Sequence, residues 1–213
     1  MGLEIERKYL HIDLQSVRQK LVDCGAHCLG AHFESNWVYD TAEGGLVGGG
    51  QLLRLRTQQW HDKKRHLLTL KLPAIHDGGF KMREERETEV ADGAVMNGIL
   101  EGLGYRVAAR YEKIREPWRM DLVEIELDIL PFDQVVELEG RAEDIESVER
   151  RLNLDNAEIS TKSYHELHQE WLRQNHKPTQ LSFVFDEAQS EYWRTKLGLT
   201  DKAATNPAST RQS

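Results

Sequence analysis

Residues 3–9, Leu-Glu-Ile-Glu-Arg-Lys-Tyr, decide the fold, because charged and apolar side chains alternate there with a period of two. In an extended strand this period places Glu4, Glu6 and Lys8 on one face. The aliphatic and aromatic residues between them then lie on the other face. The segment therefore predicts a β-strand with one ionic face and one apolar face.

Six further segments repeat this alternation and are predicted to be strands. An ordinary exposed sheet mixes Ser, Thr, Gln and Asn into its wet face, whereas nearly every polar position here is Glu, Asp, Arg or Lys. A closed or nearly closed antiparallel β-barrel explains this, because side chains alternate between its interior and exterior around the whole circumference. The segments, with their polar faces, are 53–56 (Arg54, Arg56), 68–72 (Thr69, Lys71), 83–89 (Arg83, Glu85, Glu87, Glu89), 111–115 (Lys113, Arg115), 123–129 (Glu124, Glu126, Asp128) and 135–139 (Glu137, Glu139).

Helical patterns interrupt the strands, which makes the predicted fold class α+β, a barrel around an ionic tunnel with helices packed outside. Each helix has an apolar stripe that the aliphatic outer face of the barrel can cover. The caps and stripes are Asp13 with Leu14, Val17 and Leu21, Asp92 with Val95, Ile99 and Leu103, and the segment 143–152 with Ile145, Val148 and Leu152.

After Lys162-Ser163-Tyr164 the alternation stops, and residues 164–174 and 186–197 are predicted to form helices around a break at Pro178. The helices are expected either to plug one end of the tunnel or to mediate a homodimer. The expected domain plan is a tunnel domain over 1–172, a helical extension over 173–199 and a disordered tail over 200–213.

The overall charge limits the range of partners. Lys and Arg number 28 against 36 Asp and Glu, a formal net charge of −8, which disfavours stable nucleic-acid binding. No run of about 18 apolar residues is present, and the first ten residues include charged side chains where a signal peptide would need an apolar run. We therefore expect no membrane segment and a cytoplasmic protein.

Two patterns are given structural interpretations. His165 and His168 lie three apart on a predicted helix without a third ligand nearby, so no zinc site is predicted. The tryptophans do not alternate with a basic patch as a base-stacking platform would, and we interpret them as packing residues. They are Trp37, Trp60, Trp118, Trp171 and Trp193.

The charged faces predict a metal and an anion. Carboxylates about 4 Å apart repel one another by several kcal/mol at an intermediate dielectric, so a cation must offset their charge. Mg²⁺ and Mn²⁺ prefer carboxylate oxygens. The predicted metal ligands are Glu4, Glu6, Asp128, Glu137 and Glu139.

The basic residues exceed what a single carboxylate ligand needs, whereas a polyphosphate offers several oxygens to Arg and Lys. Carboxylates, a metal and a basic cradle together indicate phosphoryl transfer. The predicted substrate-binding residues are Lys8, Arg54, Arg56, Lys71, Lys113, Arg115 and Lys162.

The chain resembles the CYTH (triphosphate tunnel metalloenzyme) family over residues 2 to about 170. Glu4-Ile5-Glu6-Arg7-Lys8 is similar to the ExExK sequence that opens CYTH domains. The resemblance continues in order through Tyr39-Asp40-Thr41, Arg54-Leu55-Arg56, Leu70-Lys71, Glu85 and Glu87, Lys113 with Arg115, Glu126 to Asp128, Glu137-Leu138-Glu139 and Lys162-Ser163-Tyr164.

The resemblance implies an eight-stranded antiparallel barrel and a metal-dependent triphosphatase. By resemblance the carboxylates hold divalent ions and the cations hold the triphosphate. Whether Lys113 or Arg115 points inward more directly is left open. Glu85 and Glu87 either ligate a second ion or orient the attacking water, and with Lys8 and Lys71 they are the predicted catalytic residues.

Three functions remain in competition. The leading one is hydrolysis of the terminal phosphate of tripolyphosphate, thiamine triphosphate or a nucleoside triphosphate. A class IV adenylyl cyclase uses the same tunnel, but its members typically carry His-Phe before the ExExK, where this chain has Met1-Gly2-Leu3. A non-catalytic polyphosphate-binding or nucleotide-binding module would have lost metal ligands, and none is missing from the sequence.

Overall fold

The computed structural model describes residues 2–199. The predicted disordered tail, 200–213, lies outside the described residues. The strands are β1 (Gly2–Leu10), β2 (His27–Cys28), β3 (His32–Asp40), β4 (Leu52–Gln59), β5 (Lys64–Lys71), β6 (Ile75–Asp77), β7 (Phe80–Val90), β8 (Arg106–Met120), β9 (Val123–Ile129), β10 (Gln134–Glu139) and β11 (Glu158–Ser160). The helices are α1 (Leu14–Asp23), α2 (Gly45–Gly48), α3 (Gly93–Gly102), α4 (Ala142–Arg151), α5 (Tyr164–Gln174) and α6 (Glu187–Lys196).

Eight strands close into an antiparallel barrel in the order β1, β10, β9, β8, β3, β4, β5, β7, with β7 pairing back onto β1. The closing register places Glu4 opposite Arg83 and Glu6 opposite Lys81. The three short strands β2, β6 and β11 extend the sheet beside β8, β7 and β1. The predicted fold class, an α+β barrel of eight strands with helices outside, is confirmed.

The seven strands predicted from alternation all form, and the eighth, β3, was not among them. Its inward side carries His32, Glu34 and Asn36, which are buried. A histidine and an amide do not fit the charged-aliphatic alternation that identified the other strands. The strand is held on both sides, by β4 and by β8.

The apolar core lies between the outer face of the barrel and the helices. Leu14, Val17 and Leu21 of α1 are buried against a cluster that includes Ile125 and Leu138 of the sheet. The stripe of α4 packs into the same cluster. As predicted, Asp13 accepts a hydrogen bond from the amide of Gln15 and Asp92 accepts from the amides of Ala94 and Val95.

The predicted stripe of α3 is wrong. Val95, Ile99 and Leu103 are 60%, 49% and 70% exposed, while Leu100 is 4% exposed and packs on the barrel together with Met96. The helix sits where predicted but is rotated, because the outer side chains of β3 and β4 meet its Met96–Leu100 face. The two faces are almost equally apolar in sequence, so periodicity does not distinguish them.

Helix α5 covers one end of the barrel. Its Leu167 is buried with Leu10, Val38 and Tyr111 of the strands. Ser163 and Glu166 form a reciprocal capping box that fixes its first turn. The chain after α5 then pairs with β8 through a parallel bridge between Tyr111 and Phe183, where the Phe183 amide donates to the Arg110 carbonyl oxygen at 3.0 Å.

None of the helices within residues 2–199 is long and apolar enough to span a membrane.

Candidate functional site

The barrel encloses a cavity of about 600 Å³ whose wall is dominated by charged side chains. Lys and Arg in the wall outnumber Glu by ten to eight, so the cavity has a small excess of cations while keeping both signs. The cations are Lys8, Arg54, Arg56, Lys63, Arg65, Lys71, Lys81, Arg83, Lys113 and Arg115, and the carboxylates are Glu4, Glu6, Glu85, Glu87, Glu124, Glu126, Glu137 and Glu139.

The carboxylates gather on the adjacent strands β1, β9 and β10. Ligand oxygens of Glu4, Glu6 and Glu139 lie within 4.8 Å of one another, and those of Glu126, Glu137 and Glu139 form a second such group. Glu139 belongs to both groups, since the β1–β10 register sets it opposite Glu6. These oxygens are the donors that Mg²⁺ and Mn²⁺ prefer, so the residues fit a hard divalent cation.

Three of these carboxyl groups have a raised pKa because they are buried and lie near other carboxylates. Burial and the neighbouring Glu139 raise the pKa of Glu4 to about 9. Burial raises the pKa of Glu126 and of Glu139, and a neighbouring carboxylate adds to each rise. A cation placed among them would offset the cost of ionising them, which is consistent with a metal at this wall.

Glu6 and Glu137 differ because lysines already neutralise them. Lys8 Nζ lies 2.7 Å from Glu137 and also forms an ion pair with Glu6, while Lys81 Nζ lies 2.8 Å from Glu6. Burial opposes ionisation of Glu6, but Lys8 and Lys81 outweigh it, and the pKa of Glu6 is lowered. The ammonium groups therefore lie where they hold the carboxylates charged.

The wall across the barrel from β10, on β4, holds fixed cations. The Arg56 guanidinium lies 3.2 Å from the buried Glu34 and donates to Asn36 at 2.7 Å. Arg54 donates to the Tyr111 hydroxyl at 3.0 Å. Since these partners lie beside them on the nearby strands β3 and β8, both guanidinium groups are held in place before any ligand arrives.

Tyr111 reports the positive field of this wall. Its burial would raise the pKa of the hydroxyl, but Arg54, Arg56 and Lys113 outweigh burial and lower that pKa to about 8. A group of cations able to ionise a buried phenol so readily is also suited to a polyanion.

The structure brings Lys113 and Arg115 together around Asp128, which is fully buried. Lys113 lies 2.9 Å from Asp128, Arg115 donates to it at 2.8 Å, and the Tyr164 hydroxyl donates to it at 2.5 Å. Asp128 was predicted to be a metal ligand; these three groups contact its carboxylate, and it belongs to neither of the two carboxylate groups described above. In the structure its carboxylate holds the two cations.

Lys162 was predicted to bind substrate, and it lies apart from the other predicted residues. Its side chain is 48% exposed and pairs with Glu170 of α5 at 2.5 Å. Ser163 caps α5 directly after it. The next three residues, Ser163, Tyr164 and His165, line the cavity.

The predicted catalytic residues on β5 and β7 lie beside the metal-type wall, which we define as the carboxylates of β1, β9 and β10. Lys71 Nζ pairs with Glu85 and lies 3.5 Å from Glu4, so it links three consecutive strands, β5, β7 and β1, on the inside of the barrel. Glu87 accepts a hydrogen bond from Thr69 at 2.7 Å and is 40% exposed, with Arg54 at 3.8 Å. Both glutamates line the cavity.

Several wall residues were not proposed from the sequence. Lys81 has the same parity as Arg83 and Glu85, so extending that alternation by one step would have found it. Glu126 was placed on the charged face but not among the metal ligands, although it joins one of the two carboxylate groups. Glu34 and Tyr111 carry no such signal, because they become important only through their neighbours across strands.

Comparison with known proteins gives a consistent result. The sequence profile of the CYTH domain family, described as "CYTH domain", matches residues 2–176. The protein PH1819 from Pyrococcus horikoshii OT3 is similar in structure, with a TM-score of 0.68 at 24% identity, covering 78% of this chain and 98% of that one. No curated protein matches this chain.

Two further solved structures share the fold. A candidate adenylate cyclase from Vibrio parahaemolyticus has a TM-score of 0.68 at 22% identity, covering 78% of this chain and 98% of its own. HpAC1 from Hippeastrum, a candidate adenylyl cyclase described as having a dominant triphosphatase activity, has a TM-score of 0.62 at 19% identity, covering 85% and 99%. At these identities the likeness concerns the fold alone.

Proposed function

The chain belongs to the CYTH domain family, and on that premise we propose that it is a metal-dependent triphosphatase. It hydrolyses the terminal phosphate of tripolyphosphate, thiamine triphosphate or a nucleoside triphosphate. The observation that carries the proposal is the separation of charge within one enclosed cavity, with oxygen ligands on β1, β9 and β10 and guanidinium groups on β4. That arrangement suits a metal-bound polyphosphate better than either ligand alone.

The cations would bind and orient the triphosphate. Tyr111 holds Arg54, and Asn36 and Glu34 hold Arg56. Both guanidinium groups offer bidentate donors to phosphate oxygens. Lys113 and Arg115 are aligned by the buried Asp128, so their charge is delivered without reorganisation. Lys8 and Lys71 reach into the space between the two walls.

The metal side would be formed by Glu4, Glu6, Glu137 and Glu139, with Glu126 joining the second group. A bound Mg²⁺ or Mn²⁺ would neutralise phosphate charge and lower the pKa of a water molecule. The barrel wall and the α5 cap restrict access of bulk water. Glu85 or Glu87 would then accept a proton from the attacking water and orient it toward the terminal phosphorus.

The alternative with a specific observation in its favour is an adenylyl cyclase, since two structural neighbours are described as candidate cyclases. In that reaction the ribose hydroxyl attacks the α-phosphorus and pyrophosphate leaves. The same cavity would bind ATP, but the products differ.

The test is a product assay with the purified protein, Mg²⁺ or Mn²⁺, and separate reactions with tripolyphosphate, thiamine triphosphate and ATP. We expect orthophosphate release that EDTA abolishes. Cyclic AMP with pyrophosphate and without orthophosphate would replace the triphosphatase by the cyclase. Tight binding without any product would identify a binding module.

A further inference from the structure

A collar of three apolar side chains and one lysine lies at the end of the cavity remote from α5. We define the collar as Leu29, Trp60, Lys63 and Pro117, all of which line the cavity. Leu52, at the start of β4, packs with the cluster beneath α5, whereas Trp60 directly follows the other end of that strand. Eight residues of strand separate these two ends, roughly 26 Å at about 3.3 Å per residue.

Trp60 and Leu29 are not used to build the core. Neither belongs to the four apolar clusters of the described residues, and Leu29 is 42% exposed. The Trp60 ring lies 4.4 Å from the His32 ring, centroid to centroid, and Lys63 Nζ lies 4.6 Å from its centre. The His32 ring and the Lys63 ammonium thus lie against an aromatic ring at the mouth of an otherwise ionic cavity.

A buried polar atom beneath the collar lacks a partner. His32 is 2% exposed, and within residues 2–199 its Nδ1 has no hydrogen-bond partner. An unpaired buried nitrogen is costly unless a ligand or water uses it. His32 lines the same cavity, so a group bound at the collar would meet it after a small adjustment of the ring.

The collar is directly connected to the cationic wall. His32 Nε2 lies 3.0 Å from Glu34, and Glu34 lies 3.2 Å from Arg56 and 3.6 Å from Lys113. A ligand with its phosphates on Arg56 and Lys113 would therefore have its far end beside His32 and Trp60. The cavity volume, about 600 Å³, falls within the range of sites that enclose an organic ligand.

We infer that the collar binds the aromatic heterocycle of an organic triphosphate, so the substrate class is a nucleoside triphosphate or similar ester and not inorganic tripolyphosphate. This inference rests on the proposed function. The heterocycle displaces the exposed Lys63 ammonium from the Trp60 ring and stacks there, and Leu29 and Pro117 flank it. Lys63 then contributes a cation at the rim. These apolar groups would add no binding free energy for an inorganic phosphate chain. A heterocycle of any kind gains binding free energy by stacking on an aromatic side chain.

The experiment compares kcat/KM for ATP, thiamine triphosphate and tripolyphosphate in the wild type, Trp60→Ala, Trp60→Phe and the control Tyr192→Ala. Tyr192 is 56% exposed on α6, away from the cavity. We expect Trp60→Ala to lower kcat/KM for the preferred organic substrate by about 10-fold to 100-fold relative to tripolyphosphate. Trp60→Phe should recover most of that ratio, and Tyr192→Ala should leave it unchanged.

An equal effect of Trp60→Ala on all three substrates, or no effect on any, overturns the inference. A calorimetric arm separates this failure from failure of the proposed function. Affinities of ATP and tripolyphosphate are measured with Mg²⁺ in the wild type and Trp60→Ala. Loss of ATP affinity alone supports the collar even if no substrate is hydrolysed, and equal affinities in both proteins contradict it.

Discussion

At the scale of single residues, charge separation inside the cavity gives each side chain a distinct role. Glu4 and Glu139 are carboxyl groups without enough counter-charge, whereas Glu6 is neutralised by two lysines. Arg56 is paired with Glu34 behind it. Glu4 and Glu139 would be stabilised by a bound cation. Glu6 and Arg56 are already paired, so they are held in position before a ligand binds.

Glu6→Gln removes one charge from the metal-type wall while keeping the shape of the side chain. We expect kcat/KM to fall by at least about 100-fold, because the lost interaction stabilises charge in the transition state. Circular dichroism should be unchanged. The matched control, Glu146→Gln, replaces an exposed glutamate on α4 outside the barrel and should retain activity. Full activity of Glu6→Gln would show that Glu6 holds no metal.

Metal affinity should rise with pH. The pKa of Glu4 is raised to about 9, so at neutral pH a metal must displace a proton from this carboxyl group. Calorimetry of Mn²⁺ binding in two buffers of different ionisation enthalpy should show proton release at pH 7 and tighter binding at pH 9. Glu4→Gln should reduce the released protons. Binding that is independent of pH between 6 and about 9 would contradict this assignment.

The same shift fixes the sign of a stability effect. Because the folded pKa of Glu4 lies above its unfolded value of 4.5, the folded state binds more protons. Stability of the metal-free protein contributed by this group is present below pH 4.5 and is lost as the pH rises toward about 9. The melting temperature of the metal-free wild type, taken relative to that of Glu4→Gln at the same pH, should therefore fall over this range. A difference that rises with pH would contradict the predicted direction.

Tyr111 offers an optical measure of the cationic wall. Its lowered pKa of about 8 should appear as tyrosinate absorbance in a pH titration, and Tyr111→Phe should remove that step. Bound tripolyphosphate would neutralise Arg54 and Arg56 and so move the transition to higher pH. A titration step that tripolyphosphate leaves in place would mean that the anion binds elsewhere.

At the scale of elements, alternation predicts strands wherever one face is ionic and the other aliphatic. It found β1 and the six others of this type, together with caps such as Asp13 and Asp92. It missed β3, because Glu34 is the single charged residue among the inward-facing His32, Glu34 and Asn36. The rotation of α3 also escaped prediction, since the side that packs is chosen by β3 and β4 and not by the helix.

A pair of substitutions tests the orientation of α3. Leu100→Ala should destabilise the protein by about 2–5 kcal/mol, because the side chain is buried and leaves a cavity. Ile99→Ala should change stability by no more than about 0.5 kcal/mol, since Ile99 is 49% exposed. Denaturant unfolding measures both. Equal effects, or the reverse order, would mean that the predicted stripe faces the barrel after all.

At the scale of the whole molecule, closure of the barrel makes one site from distant segments. β7 pairs with β1 across nearly 80 residues of sequence, and this pairing sets Lys81 beside Glu6. The sequence could assign charges to strand faces, but not the neighbours across closing strands. For that reason it identified most of the wall residues but not the contacts of Asp128, whose partners Lys113, Arg115 and Tyr164 come from two other elements.

The central claim is that one cavity holds a divalent cation on its carboxylate wall and a triphosphate on its cationic wall at the same time. A crystal structure with Mn²⁺ and tripolyphosphate, with the metal located by anomalous scattering, tests this directly. The account predicts an anomalous peak at the carboxylates of Glu4, Glu6 and Glu139 and phosphates on Arg54 and Arg56. Manganese bound outside the barrel, or phosphate on its outer surface, would contradict it.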